Sequence, residues 1–272
     1  MLRYGVLTEA YFYFKRHPFA TGDSLRMQAI KNMPLSEENN LMVILGPTAS
    51  GKTTLAVQLA REFDGEIISA DSRQVYRGMD LGTGKDLSEY HFANKPIPYH
   101  LIDIMDPREE FNLFQFQQCF AAVYKDIIER RKVPLLVGGT GMYLESIILN
   151  YQLREVPEDL TFREEMKTLD MDSLMQLYIT ERSGTPHNKT DMTDHHRLVR
   201  AIEISKYGHK EPDATIQAVL GKLSPFVIGV RWERSILRKR ISQRLHDRLG
   251  KTGCLWSGIP LYCRSSAGPP DL

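Results

Sequence analysis

The chain has 272 residues, 42% hydrophobic and 25% charged, with a formal net charge of +1. This ordinary globular composition suits one large domain with an inserted subdomain, or two modest domains. Bulk charge excludes nucleic-acid binding by a uniformly basic surface, so any basic surface must be local, and no apolar run approaches the ~20 residues needed to cross a bilayer.

Residues 1–40 read as an N-terminal extension. Tyr11–Phe14 is aromatic and runs into Lys15, Arg16 and His17. The run is too short for a signal peptide, and Glu9 and Asp23 argue against a transit peptide. A poorly ordered segment is expected; a docking segment and a mis-assigned start codon are the alternatives. Residues 41–152 then alternate strands and helices. Leu41–Leu45 is a continuous apolar run ending at Gly46, the pattern of a buried parallel strand. Leu55, Leu59 and Phe63 give Thr53–Phe63 a helical stripe. Further strands are predicted at Ile67–Ala70, Tyr99–Ile104 and Val133–Val137, with Phe116, Phe120, Val123 and Ile127 marking a helix between the last two. This order predicts an α/β fold, a doubly wound parallel sheet with ligands at the carboxyl ends of its strands, and the glycine-bounded loop Gly46–Thr53 after its first strand makes it P-loop NTPase-like.

The pattern becomes polar over 153–193, where helices near Leu160–Leu169 and Asp172–Glu181 suggest a small helical insertion domain. Residues 194–250 return to the core, with a helix at His195–Tyr207, a strand at Phe226–Val230 and a basic helix at Glu233–Leu249. From Arg231 to Lys251 there are eight Arg and Lys against two acids. Residues 251–272 are rich in Gly, Pro and Ser, and a disordered tail is expected there.

Three cysteines, Cys119, Cys254 and Cys263, form no CxxC pair and fit no zinc or disulfide frame. A reducing, cytoplasmic setting follows. His195-His196 has no matching acid or cysteine spacing and reads as a surface or RNA-facing pair.

Three strand ends carry chemistry. Gly46-Pro47-Thr48-Ala49-Ser50-Gly51-Lys52-Thr53 is a complete Walker A loop. Its glycines let backbone N–H groups turn inward around phosphate, and the following helix adds its positive end. Lys52 supplies a cation for terminal phosphate oxygens and Thr53 a hydroxyl ligand for Mg²⁺. Asp71 closes the second strand, where it either serves a metal or acts as a general base, or else caps a turn. Thr140, in Gly138-Gly139-Thr140-Gly141, is either a site hydroxyl or part of a tight turn. Arg197, Arg200, Arg240 and Arg244 lie on predicted helices. A lone surface arginine is ordinarily solvated, but the basic density around Arg240 suits phosphate.

Together these motifs resemble the tRNA dimethylallyltransferases (isopentenyltransferases). The resemblance rests on GPTASGKT at Gly46–Thr53, ISADSRQVYRGMDLGTGKD at Ile68–Asp86 and YHLIDIMDP at Tyr99–Pro107. VGGTGMY at Val137–Tyr143 and DHHRLVRAIE at Asp194–Glu203 complete it, in order over roughly residues 41–250. It implies transfer of a dimethylallyl group from its diphosphate to N6 of the adenosine 3′-adjacent to the anticodon in tRNAs reading U-starting codons. It further implies Asp71, Thr140 and Arg240 as catalytic residues, with Gly46, Pro47, Thr48, Ala49, Ser50, Gly51, Lys52 and Thr53 holding the diphosphate and Mg²⁺. By analogy Asp71, Ser72, Arg73 and Gln74, Arg163 in the insertion, and His196, Arg197, Leu198, Val199 and Arg200 contact tRNA. A monomer is expected.

Two departures accompany the resemblance. Where the family usually reads GTAKP, this chain has Gly82-Thr83-Gly84-Lys85-Asp86, which suggests a divergent paralogue. The chain also leaves the family pattern near Leu249, as a truncated or frameshifted product would. The competing readings are prenylation of free AMP, ADP or ATP, a small-molecule kinase, and an inactive remnant that binds diphosphate or RNA.

Overall fold

The computed structural model describes residues 12–15, 40–83, 85–92, 95–181, 193–207 and 211–251. Its strands are β1 (Phe12–Lys15), β2 (Leu41–Leu45), β3 (Gly65–Ala70), β4 (His91–Phe92), β5 (Lys95–Pro96), β6 (Tyr99–His100), β7 (Val133–Gly138) and β8 (Pro225–Arg231). Its helices are α1 (Lys52–Glu62), α2 (Asp80–Thr83), α3 (Leu113–Glu129), α4 (Gly141–Ile148), α5 (Leu160–Met166), α6 (Met171–Glu181), α7 (His195–Tyr207), α8 (Ala214–Leu220) and α9 (Arg234–Lys251). The contacts divide the chain into two compact units, residues 1–149 with 222–272, and residues 150–221.

In the first unit six strands form a wholly parallel sheet in the order β1-β8-β2-β7-β3-β6. A parallel sheet is covered on both faces, which explains why β2 is apolar at successive positions rather than at alternate ones. Leu41, Met42, Val43 and Ile44 are all buried. Leu55, Leu59 and Ala60 of α1 pack with Ile44, Leu135 and Ile228 of the sheet. Elsewhere in the unit α3 meets α4: Phe116 stacks on Tyr143 with ring centroids 4.1 Å apart, and the buried Gln117 amide donates to Ser146 O at 2.9 Å. Asn112 and Gln115 form a reciprocal capping box that starts α3. The ends of β3 and β7 approach closely at Gly138, where a Cβ would lie 2.1 Å from Ala70 O, so only glycine fits.

Several expectations need correction. Within the extension expected to be poorly ordered, Phe12–Lys15 form β1, which pairs in parallel with β8; the rest of residues 1–39 lies outside the described residues, as does the expected tail from 252. The strand expected over Tyr99–Ile104 stops at His100. Leu101 and Asp103 take left-handed φ values of 62° and 57°, which turn the chain so that Ile104 and Met105 N–H groups both donate to Val75 O at 2.9 Å.

The second unit is helical, and it is wider than the insertion expected at 153–193. It takes in α7 and α8 because the apolar side of α7 faces other helices: Leu198, Val199 and Ile202 pack with Phe162 of α5 and Leu174 and Tyr178 of α6. A helical stripe in sequence shows that a face is covered but not what covers it.

Candidate active site

The Walker A segment leaves β2 and bends at two left-handed residues, Ala49 (φ 61°) and Gly51 (φ 85°), before α1 begins at Lys52. Such alternation turns successive N–H groups toward one concavity, the backbone nest that binds anions. Gly46 is required by packing, since a Cβ there would lie 2.8 Å from Ser50 Oγ and 2.9 Å from Val230 O. The Lys52 ammonium donates to Pro47 O at 3.4 Å across the loop. Burial pushes its pKa below the usual lysine value and Arg244 adds to this, while Asp71 and Glu89 oppose it. Among the described residues no carboxylate contacts the Lys52 ammonium, and a desolvated ammonium so placed gains most from an arriving phosphate.

A cavity of about 370 Å³ opens over this loop. The P-loop and the start of α1 line it with Ala49, Gly51, Lys52, Thr53 and Thr54, joined by Asp86, Glu89, Arg240, Gln243, Arg244 and Asp247. The expected Arg240 therefore does reach the cradle. Its Nε–H donates to Ala49 O at 2.9 Å, and its guanidinium lies 4.6 Å from the Trp232 ring centroid. The Trp232 indole N–H donates to Ser50 O at 2.8 Å. Arg244 pairs with Glu89 at 3.2 Å. Thr53 offers a hard oxygen donor to this cavity, and Mg²⁺ is commonly held by one or two protein oxygens together with substrate phosphate. The residues present therefore fit that ion. Among the described residues no cluster of three metal-ligating side chains exists, so a metal here would depend on the phosphate.

Asp71 follows β3 directly and is partly buried; its Oδ1 accepts from Arg73 N–H at 3.0 Å. Thr140 follows β7, the neighbouring strand. Its Oγ1 accepts from Ser72 N–H at 3.1 Å and its hydroxyl donates to Ser72 Oγ at 3.3 Å, while its own N–H donates to Ala70 O at 3.3 Å. Thr140 thus braces the Asp71 loop against the adjacent strand end. Gln74 is turned back onto the end of β3, its Oε1 accepting from the Ser69 hydroxyl at 3.3 Å, whereas Arg73 is exposed.

The expected RNA contacts of the helical unit divide. His196 and Arg197 are exposed on α7. Leu198 and Val199 are corrected: at 0% and 5% exposure their side chains belong to the helical core and cannot reach a nucleic acid. Arg163 and Arg200 are engaged internally. Glu203, fully buried, accepts from Arg163 Nε at 3.0 Å, Arg163 Nη2 at 3.0 Å, Arg200 Nη1 at 2.6 Å and Asp159 N–H at 2.9 Å. Burial works to raise the Glu203 pKa, but the two guanidinium groups outweigh it and hold it below the usual value.

Two further side chains matter to which the sequence assigned no role. Trp232 sits one residue past β8 and joins no recognisable pattern. Lys85 has a fully buried side chain whose ammonium donates to Tyr76 O at 2.8 Å and Asp80 Oδ1 at 3.0 Å, and also to the Asp103 carboxylate. With Arg77, which donates to Asp103 O and Ile104 O, it pins the segment after Asp71 to the turn after β6. In the sequence Lys85 stands within Gly82-Thr83-Gly84-Lys85-Asp86, but nothing there marks it as buried.

The family model described as IPP transferase matches residues 74–255, and that described as isopentenyl transferase matches residues 39–93. The chain belongs to the IPP transferase family. It is 56% identical over 214 residues to "tRNA dimethylallyltransferase 1" of Geotalea daltonii, covering 77% of this chain and 66% of that protein. It is 50% identical over 215 residues to the protein of the same name in Syntrophus aciditrophicus, covering 77% and 68%. The chain thus spans about two thirds of the length of these relatives. Among solved structures it is similar to the full-length tRNA isopentenylpyrophosphate transferase of Bacillus halodurans, with 34% identity, TM-score 0.54, and coverage of 84% of this chain and 71% of that one. It is also similar to a eukaryotic dimethylallyltransferase described as acting on tRNA, with 26% identity, TM-score 0.64, and coverage of 84% and 57%. The P-loop, α/β fold predicted from the strand order is the fold of these proteins.

Proposed function

We propose that the protein transfers a dimethylallyl group from dimethylallyl diphosphate to N6 of the adenosine 3′-adjacent to the anticodon in tRNAs reading U-starting codons. The observation that carries this reading is the juxtaposition of a phosphate cradle with Asp71. A Cβ at Gly139 would lie 3.7 Å from the Lys52 ammonium, and the next residue, Thr140, is bonded to Ser72 beside Asp71 at the end of β3, two strands from β2. A kinase also needs the cradle, but the relatives' names and the motif order favour prenyl transfer.

In this reading the N6 lone pair attacks C1 of the allyl group, the C1–O bond breaks, and diphosphate leaves. Asp71 accepts the N6 proton. Lys52, Arg240 and inward-facing P-loop N–H groups stabilise the charge growing on the departing diphosphate. Thr140 holds the Ser72 end of the Asp71 loop, and so fixes the direction of the carboxylate. Mg²⁺ near Thr53, when bound with the diphosphate, supplies further charge neutralisation. Arg73, His196 and Arg197 are the exposed residues proposed to meet tRNA, and the protein is proposed to act as a cytoplasmic monomer. Among the described residues no helix is long and apolar enough to cross a membrane.

The test is label transfer from dimethylallyl diphosphate with Mg²⁺, offering unmodified tRNA, AMP and ATP in parallel. Label in tRNA supports the reading. Label only in AMP or ATP moves the activity to free nucleotides, and diphosphate binding without transfer makes the chain a binding remnant.

A further inference from the structure

We propose that Trp232 is a positioning residue for diphosphate capture, locking one peptide plane of the P-loop while holding Arg240 over the same cavity. The inference rests on the diphosphate reading above. A trans peptide points its C=O and N–H in opposite directions. The carbonyl of Ser50 and the N–H of Gly51 belong to one peptide unit, and that carbonyl is drawn toward the Trp232 indole N–H at 2.8 Å. The Gly51 N–H is thereby directed away from Trp232. The preceding unit is fixed from both ends: Ala49 O accepts from Arg240 Nε at 2.9 Å, and Ser50 N–H donates to Pro47 O at 3.2 Å.

The Ser50–Gly51 unit needs such a restraint. Gly51 sits at φ 85° and lacks a Cβ, so the unit can rotate at little steric cost. Rotation would turn a carbonyl oxygen toward the cavity, and that oxygen would repel a diphosphate. Trp232 prevents it with a single donor. The same ring stacks on the guanidinium of Arg240 at 4.6 Å, so one side chain couples the backbone cradle to the cation across from it. Both anchors of Arg240, a carbonyl and a ring face, leave its positive charge un-neutralised by contact.

The experiment measures binding of inorganic pyrophosphate with Mg²⁺ by calorimetry, and prenyl transfer at saturating tRNA. The Trp232→Phe variant keeps the stacked ring and loses the N–H. Its pyrophosphate Kd is expected to rise about tenfold, and the KM for prenyl donor with it, while kcat stays within about threefold because Arg240 keeps its stack. Trp232→Leu, which loses both, is expected to lower kcat as well. Because the chain has two tryptophans, Trp256→Phe leaves Trp232 as sole emitter, and saturating pyrophosphate is expected to shift its emission. A folded Trp232→Phe protein with unchanged pyrophosphate affinity overturns the proposal. An unresponsive Trp232 emission overturns it too, even where Trp232→Phe fails to fold. Pyrophosphate binding that depends on Trp232, without transfer to RNA, would keep this inference and remove the functional one; wild-type protein that binds no pyrophosphate removes both.

Discussion

The P-loop cradle and the Glu203 knot use arginine in opposite ways. Around the cradle Arg240 is anchored by a carbonyl oxygen and an indole face, and neither neutralises it. In the helical unit Arg163 and Arg200 both point at the buried Glu203, and Arg200 Nη2 also donates to Val156 O at 2.7 Å. A guanidinium held by neutral acceptors keeps its charge for a ligand, whereas one held by a buried carboxylate spends that charge on the fold. Which of the two applies depends on the partner, which lies 191 positions away for Arg240, 40 for Arg163 and 3 for Arg200.

The comparison can be broken most severely at Glu203. Glu203→Ala leaves two partly buried cations facing each other, and a loss of about 3–5 kcal/mol in the stability of the helical unit is expected. Chemical denaturation followed by hydrogen exchange on α5 and α7 measures it; unchanged protection there would refute the structural role. At the cradle the expected effect is on function instead. Lys52→Ala should reduce donor binding and transfer by at least a hundredfold, about 3 kcal/mol, with a melting temperature close to that of the parent. A large loss of stability would mean that the lysine serves the fold after all.

A third charge cluster sharpens the comparison through pH. Glu66 of β3 is buried; it accepts from Arg130 Nη2 at 2.9 Å, contacts Arg130 Nη1, and meets His100 Nε2 at 2.7 Å. The Arg130 hydrogen bonds outweigh burial and, with His100, hold the Glu66 pKa below its usual value. A carboxylate whose folded pKa is depressed contributes stability that is present above its unfolded pKa, about 4.3, and is lost as pH falls through the folded value. Glu66→Gln should therefore cost about 2 kcal/mol at pH 7, and the gap to the parent protein should close below about pH 4. A gap independent of pH would assign the loss to packing. The smallest effect is expected on α7: Arg197→Ala should weaken tRNA binding only about threefold, lower its salt-dependence slope by about one, and leave melting unchanged.

These contrasts mark what was legible in the chain. The apolar runs at Leu41–Leu45 and Val133–Val137 sit where the buried parallel strands lie, because both faces of that sheet are covered. The Walker A loop was legible because phosphate binding needs glycines at fixed spacing. The shortened β6 was not, since left-handed Leu101 and Asp103 carry no glycine signal. The extent of the helical unit was hidden too, because the stripe of α7 does not reveal that helices rather than the sheet receive it. Leu198 and Val199 share a motif with exposed neighbours, and a motif cannot separate the residues that hold a helix in place from those that present it. Trp232 was invisible because its partner, Ser50, lies 182 positions away.

The most direct test of the central claim is single-turnover transfer by Asp71→Asn with dimethylallyl diphosphate already bound. Asparagine keeps an oxygen for the Arg73 N–H and so preserves the loop, but it cannot accept the N6 proton. The account predicts donor affinity within about threefold of the parent and a transfer rate lower by about 10²–10⁴. Transfer at the parental rate would contradict it, and would place the base elsewhere in the protein.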